Sequence, residues 1–296
     1  MSAVRVDAEL VRRGLVPSRS RAASLIDSGR VTVDGVVVAK PSVKVTATSD
    51  LVVDVEAGQD YASRAAYKLL GALESFAAAG ATTLDEAITG AWALDVGAST
   101  GGFTDVLLRR GADHVVALDV GHGQLVDELR ADDRVTVIEG FNARELAPGA
   151  LARTPDVVVA DISFISLRMI VGPVVSVAAP GTTYLLMVKP QFEVGRERLG
   201  SNGVVRSEAL REQSVAGVVE EAEQHGLWLR GVVPSVLPGP HGNREFFVWL
   251  ERRPEGAGHT DWPAAVRRAV RSPEGPEARA ELVSPEGTPT STGDEA

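Results

Sequence analysis

Residues able to do chemistry stand at the ends of apolar runs in this sequence. In DVGASTGGFT, residues 95–104, a glycine-rich turn follows a strand-like run and opens a helical pattern. Such a turn lets backbone approach a ligand closely while the first N–H groups of the helix point at it. Asp95, Gly97, Ala98, Ser99, Gly101, Gly102 and Phe103 are therefore the candidate cofactor cradle. The spacing G-x-x-x-G-G departs from the G-x-G-x-x-G of a pyrophosphate binder, and no lysine follows as in a phosphate loop, which argues against NAD and ATP. About 20 residues on, Asp119 ends VVALDVG, where a carboxylate can accept hydrogen bonds from both hydroxyls of a ribose. An adenosine ribose without a pyrophosphate describes S-adenosylmethionine. Asn142, after the third strand-like run, is placed either to touch the adenine or to cap its own loop.

Two further runs end in ionisable residues, VVVAD in Asp161 and LLMVK in Lys189. In an open α/β sheet ligands lie beyond the carboxyl ends of the strands, so charged side chains there are site candidates. Asp161 and Lys189 are expected to face one crevice.

The patterning predicts the scaffold these residues need. From Trp92 onward AWALDVG, HVVALDV, RVTVIEG, DVVVAD and TTYLLMVK alternate with helical segments, which argues a parallel sheet covered by helices on both faces. A helical pattern over 208–225 leads to apolar runs at 227–237 and 245–250, joined by the short loop PGPHGN. That loop permits an antiparallel pair, which would put one reversed strand in the sheet. Residues 65–79 are helical in pattern.

Residues 1–57 read as a separate small unit. Asp7 can cap a first helix and Ser18 a second, in which Ala22, Leu25 and Ile26 repeat at helical spacing and which Gly29 ends. Two valine-rich runs flank Asp34-Gly35, a strong hairpin signal, and residues 51–55 read as a further strand. Residues 58–64 read as a linker, 65–253 as the α/β domain and 254–271 as a helical extension. The last stretch, 272–296, is rich in Pro, Gly, Ser, Thr and acids and is expected to be disordered.

The 296 residues carry 30 Lys plus Arg against 40 Asp plus Glu, a net charge of -10, which on bulk electrostatics argues against a nucleic-acid partner. The charge is uneven, however. Residues 1–48 hold eight basic and four acidic side chains, a net +4, whereas 272–296 carry -5. Arg5, Arg12, Arg19 and Arg21 cluster on the two N-terminal helices, where they could track phosphates or form a solvated face. The absence of cysteine excludes disulfides, thiolate metal sites and a cysteine nucleophile. The five histidines lack metal-ligand spacing, so no metal is expected. The N-terminus does not read as a signal peptide, and the longest apolar stretch, MIVGPVVSVAAP, is too short to span a bilayer, which needs roughly 20 residues. A cytoplasmic protein with no membrane partner is expected.

The sequence also resembles a known family. Lys68 in SRAAYKL, Asp161 in ADISFIS, Lys189 in VKPQFEVG and Glu245 in GNREFF match, one by one, the Lys-Asp-Lys-Glu tetrad of the FtsJ-type ribose 2′-O-methyltransferases. The contexts RVDAELVRRGL, DVGASTGGFTDVLL, ADISFIS and VKPQFE are similar to those of its subgroup, the TlyA or haemolysin-A family, over roughly residues 5–250. The resemblance implies a small α+β RNA-binding domain of the ribosomal-protein S-four type. It is followed by a Rossmann-like methyltransferase domain with a mostly parallel seven-stranded sheet and one antiparallel strand. It further implies transfer of a methyl group from S-adenosylmethionine to a cytidine ribose of ribosomal RNA within ribosomal subunits, with Lys68, Asp161, Lys189 and Glu245 catalytic. A ribose hydroxyl must lose its proton as it attacks the methyl, and Lys189 is the expected acceptor. A lysine near its usual pKa of about 10.4 is protonated, so Lys68 as a neighbouring like charge, together with exclusion of water, is expected to favour the free amine. Asp161 and Glu245 would hold the two ammonium groups. Competing readings are a membrane-active haemolysin, against which the lack of a spanning segment speaks, and an RNA-binding protein with an inactive domain, against which the intact tetrad speaks. The resemblance leaves the nucleotide and the oligomeric state open.

Overall fold

The computed structural model describes residues 4–16, 19–27, 29–53, 61–200, 202–253, 261–273 and 275–283. The chain divides into two compact units, Met1–Arg64 and Ala65–Ala296.

The first unit contains β1 (Val4–Arg5), α1 (Val6–Arg12), α2 (Arg19–Asp27), β2 (Val31–Val33), β3 (Val36–Val37), β4 (Lys44–Val45) and β5 (Leu51–Val53). Asp34 and Gly35 both take positive φ, 51° and 79°, the conformation a two-residue hairpin needs between right-twisted strands. Strand β2 pairs antiparallel with both β3 and β5. Val6 and Leu10 of α1, Ala22, Leu25 and Ile26 of α2, and Val31 and Leu51 of the sheet form its core. Asp7 does not cap α1 as its position suggested. The helix begins one residue earlier, at Val6, and the Asp7 carboxylate is buried and bound by arginines. Ser18, the expected cap of α2, lies outside the described residues.

The second unit opens with α3 (Ala65–Ala78) and α4 (Thr83–Ile88), followed by β6 (Trp92–Val96), α5 (Gly102–Arg109), β7 (His114–Asp119), α6 (Asp127–Arg130) and β8 (Val135–Glu139). It continues with β9 (Val157–Ala160), α7 (Arg168–Ser176), β10 (Thr183–Val188), α8 (Pro190–Glu193), α9 (Glu208–Gln224), β11 (Leu227–Pro234), β12 (Phe246–Arg252), α10 (Trp262–Arg271) and β13 (Glu281–Leu282). These strands form one sheet in the order β13-β11-β12-β10-β9-β6-β7-β8. From β10 to β8 all neighbours are parallel, and β12 runs antiparallel between β10 and β11. Strands β9 and β10 are buried along their whole length, as expected of strands covered on both faces.

The sheet has eight strands rather than seven, because part of the stretch expected to be disordered is built into it. β13 pairs antiparallel with β11, and Val283 N–H donates to the Arg230 carbonyl at 2.9 Å. The reason is local. Leu282 and Val283 are an apolar pair inside an acidic segment, Gly231 of β11 leaves room for Leu282 beside Phe76, and Glu281 pairs with Arg268 at 2.7 Å.

Candidate active site

Ala93 to Val96 of β6 are buried, so the turn that follows starts from a fixed strand end. Gly97 and Gly101 take φ of 85° and 96°, and Ser99 between them takes 49°. Side chains could not replace these glycines: a Cβ on Gly97 would stand 3.0 Å from the Asp161 carbonyl oxygen, and one on Gly101 2.3 Å from Leu129. The turn therefore brings bare backbone against the end of β9 and then opens α5 at Gly102.

Asp119, at the end of β7, accepts from Ser99 N–H at 2.8 Å through Oδ2 and from Gly121 N–H at 2.7 Å through Oδ1. Each oxygen keeps a lone pair for a further donor. Ser99 Oγ and Gln124 Oε1 lie 3.1 Å apart and bridge two walls of the space beside Asp119, which is water-sized at about 10 Å³. Asp95 is fully buried; its Oδ2 accepts from Thr104 Oγ1 at 2.7 Å, and its Oδ1 has no partner among the described residues. Burial pushes its pKa up to about 7, against the pull of the Thr104 hydrogen bond. Phe103 offers only its backbone to a ligand, because its ring is buried in the core 5.9 Å from that of Phe247. Asn142 serves as a cap, its Oδ1 accepting from Arg144 N–H at 3.2 Å.

The register of the sheet brings the tetrad to one edge. Asp161 directly follows β9, and Lys189 directly follows β10, where Leu186 pairs with Ala160. Because β12 is reversed, its first residues lie at that same edge: Phe246 pairs with Val188, which sets Glu245 beside Lys189. Lys189 Nζ lies 2.6 Å from Asp161 Oδ1 and donates to Ser163 Oγ at 2.8 Å. Lys68, on the buried face of α3, donates to Glu245 Oε2 at 2.6 Å, and Gln191 Nε2 donates to Glu245 Oε1 at 3.0 Å. Each lysine thus has a carboxylate of its own. Lys68 is an ion paired with Glu245.

Four residues of the site were not singled out by spacing, although ADISFIS and VKPQFE contain them. Ser163 and Gln191 complete the two ion pairs. Glu193 ties the loop after Asp161 to α8, accepting from Ser166 Oγ at 2.5 Å and Leu167 N–H at 2.7 Å. Its burial raises its pKa against those hydrogen bonds. Phe164 is 88% exposed at a φ of 71°, with its ring 5.4 Å from that of Phe192.

In the first unit the candidate RNA-binding arginines are partly occupied. Arg5 and Arg19 share the Asp7 carboxylate at 3.0 and 2.8 Å, and Arg12 and Arg13 share that of Glu9. These partners hold both carboxylates below the ordinary range. The side chains of Arg12 and Arg19 nevertheless stay 65% and 59% exposed. The side chain of Arg21 lies outside the described residues.

Residues 61–252 match the FtsJ-like methyltransferase family and residues 4–52 the S4 domain. The chain is 48% identical over 276 residues to the 16S/23S rRNA (cytidine-2′-O)-methyltransferase TlyA of Mycobacterium tuberculosis, covering 92% of this chain and 98% of that protein. It is 35% identical to Hemolysin A of Brachyspira hyodysenteriae, covering 83% and 98%. A solved structure from Streptococcus thermophilus described as a hemolysin superposes with a TM-score of 0.68 at 34% identity, covering 92% of this chain and 95% of that one. Together these matches span both units, and the chain belongs to the FtsJ-like methyltransferase family, with an S4 domain ahead of its methyltransferase domain.

Proposed function

We propose that this chain transfers a methyl group from S-adenosylmethionine to the 2′-hydroxyl of a cytidine ribose in ribosomal RNA of the small or large subunit, working on ribosomes in the cytoplasm. The observation that carries this reading is the pair of Lys–carboxylate contacts, Lys189–Asp161 and Lys68–Glu245, on the sheet edge next to the glycine turn. The 48% identity to a protein named for the same reaction supports it.

The residues present fit the cofactor. Gly97 and Gly101 of the turn leave no room for side chains, Asp119 has lone pairs to spare for ribose hydroxyls, and Asp95 has a buried oxygen without a partner among the described residues for a cationic group. Backbone at Ala98, Ser99, Gly101, Gly102 and Phe103 completes the cradle, and Asn142 stands beside it as a loop cap. When bound, S-adenosylmethionine supplies an electrophilic methyl group on a sulfonium.

Lys189 would accept the proton of the ribose hydroxyl at Nζ, leaving that oxygen free to take the electrophilic methyl group the cofactor would supply. Asp161 and Ser163 fix the direction of Nζ and receive the resulting ammonium. Lys68, fixed by Glu245 and Gln191, lines the edge with a second cation that can steady the ribose or its phosphate. Most of the acceleration comes from alignment of hydroxyl and methyl. Phe164 offers an unstacked base a face to stack on, as single-stranded RNA recognition requires. In the first unit, Arg12 and Arg19, with Arg5 and Arg21, give the S4 domain its phosphate contacts.

Mapping 2′-O-methyl sites in ribosomal RNA from cells with and without the gene tests the reading. A methylated cytidine that disappears with the gene is expected, and an unchanged pattern in both subunits would overturn it.

A further inference from the structure

Most arginines with described side chains in this protein are held by a carboxylate; Arg206 and Arg211, which line one cavity, have no carboxylate partner among the described residues. An open cavity of about 560 Å³ in the second unit is bounded by Asn202, Val204, Arg206, Arg211, His241 and Gly242. Arg206 is exposed and makes no hydrogen bond or ion pair among the described residues; Arg211 uses Nε on the Val205 carbonyl at 2.9 Å and pairs with no acid. Among the described residues no carboxylate lines the cavity, and the two acids closest in sequence are engaged elsewhere, Glu208 with Arg271 at 2.6 Å and Glu212 with Arg267 at 3.9 Å.

The cavity walls are fixed in place. Asn243 is buried and stitches them together, donating from Nδ2 to the Gly203 carbonyl at 2.9 Å and accepting from Val205 N–H at 3.0 Å through Oδ1. One wall is also the approach to the tetrad. The loop carrying His241 and Gly242 runs directly into Glu245, and a Cβ on Gly239 of that loop would stand 2.2 Å from Glu245 Oε1. A preformed cationic cavity therefore shares a loop with the catalytic edge.

We propose that this cavity is an RNA subsite that takes a backbone phosphate of the strand carrying the target ribose, with Arg206 and Arg211 on its non-bridging oxygens. Guanidinium groups match that geometry with two parallel hydrogen bonds. Such a contact sets the register of the strand and carries no sequence information. The inference rests on the reading that RNA is the methyl acceptor.

The test uses the full chain and ribosomal subunits from cells lacking the gene, with binding measured across a salt series beside methyl incorporation. Arg206→Ala should weaken subunit binding about tenfold and lower the slope of log K against log salt by about one. Arg206→Glu should weaken it further, and Arg206→Lys should restore most of the affinity. The Kd for S-adenosylmethionine and the melting temperature should not change. Wild-type affinity and slope in Arg206→Glu, or no binding of subunits by the wild-type chain, would overturn the subsite. Arg206-dependent binding without methyl transfer by the wild-type chain would leave the subsite standing and overturn the proposed reaction instead.

Discussion

Lys189 Nζ lies 2.6 Å from Asp161 Oδ1, on a strand end fixed from below by the buried run of β10. Its position depends on Asp161 and Ser163 and not on the cofactor cradle, so chemistry and cofactor binding should separate on mutation. Lys189→Ala is expected to reduce methyl transfer by roughly 10²–10⁴-fold, the usual worth of a positioned acid or base. The Kd for S-adenosylmethionine, measured by calorimetry, should stay within about twofold. Turnover by Lys189→Ala near the wild-type rate would remove Lys189 from the role of base.

The second pair is more deeply buried, with side-chain exposure of 10% for Lys68 and none for Glu245. Removing one partner of a buried pair leaves an uncompensated charge and costs about 3–5 kcal/mol, whereas replacing both with well-packed neutral groups is often close to neutral. Glu245→Ala should therefore lower Tm by on the order of 10 °C. Lys68→Met combined with Glu245→Gln, which keeps a partner for Gln191, should regain most of that loss. The double variant should still transfer no methyl, which would separate the chemical role of the pair from its structural one. If it were as unstable as Glu245→Ala, the loss would not come from an unpaired charge.

Asp95 gives the methyltransferase unit a pH dependence. Its folded pKa is raised to about 7, so between the ordinary carboxylate value near 4 and pH 7 the folded state binds more protons than the unfolded one. Stability falls as pH rises through that window, by roughly 4 kcal/mol in all. Asp95→Asn keeps an acceptor for Thr104 and removes the titration. Its Tm should lie above that of the wild type at pH 8 and close to it near pH 4, measured without cofactor. Adding S-adenosylmethionine should raise the wild-type Tm more at pH 8 than at pH 5, because the ionised carboxylate then gains a cationic partner. Equal pH profiles for the two proteins would show that Asp95 does not carry this dependence.

Much of the site could be read in the sequence because local patterning was enough to place it. The glycine turn needs backbone of positive φ after a strand, and Asp119, Asp161 and Lys189 each end an apolar run, so chain order alone sets them along one sheet edge. Lys68 and Glu245 are different. They meet across 177 positions of sequence, and only the reversed strand β12 brings them together. Spacing could not reveal that, and the family motifs did. Side-chain partnerships were the least legible feature. Arg5 and Arg19 read as side chains that could track phosphates or form a solvated face, and the structure has both at Asp7, since the fold of α2 on α1 decides which charges neutralise one another. β13 was missed because a two-residue strand in a Pro- and Glu-rich segment has no periodicity to detect, and what holds it is tertiary: the space Gly231 leaves for Leu282 and the pair of Glu281 with Arg268.

Arg12 and Arg13 are adjacent and share Glu9, but their surroundings give them different roles. Arg13 also donates through Nη1 to the Ser49 carbonyl at 2.8 Å and through Nη2 to the Thr46 and Ala47 carbonyls at 3.0 and 3.1 Å, and its side chain is only 23% exposed. Removing it takes the charged donor from three backbone carbonyls at the turn before β5, of which that of Thr46 keeps Ser49 N–H at 3.2 Å. Arg12 has no partner but Glu9 among the described residues and is 65% exposed, so its loss costs the fold little and costs phosphate attraction more. Arg13→Ala should therefore lower the melting temperature of the S4 unit, followed by the methyl signals of Val6 and Leu10. Arg12→Ala should leave that melting nearly unchanged while weakening binding to ribosomal subunits and reducing its salt slope by about one. Acid should act on the same cluster. Asp7 and Glu9 are held below their ordinary values, so their contribution is present above that range and is lost as pH falls through it. Melting of the S4 unit in the Arg13→Ala protein should be less sensitive to acid than in the wild type, because Glu9 has then lost one of the two cations that depress it. An Arg12→Ala protein that binds subunits like the wild type, or an Arg13→Ala protein that melts like it, would reverse this assignment of roles.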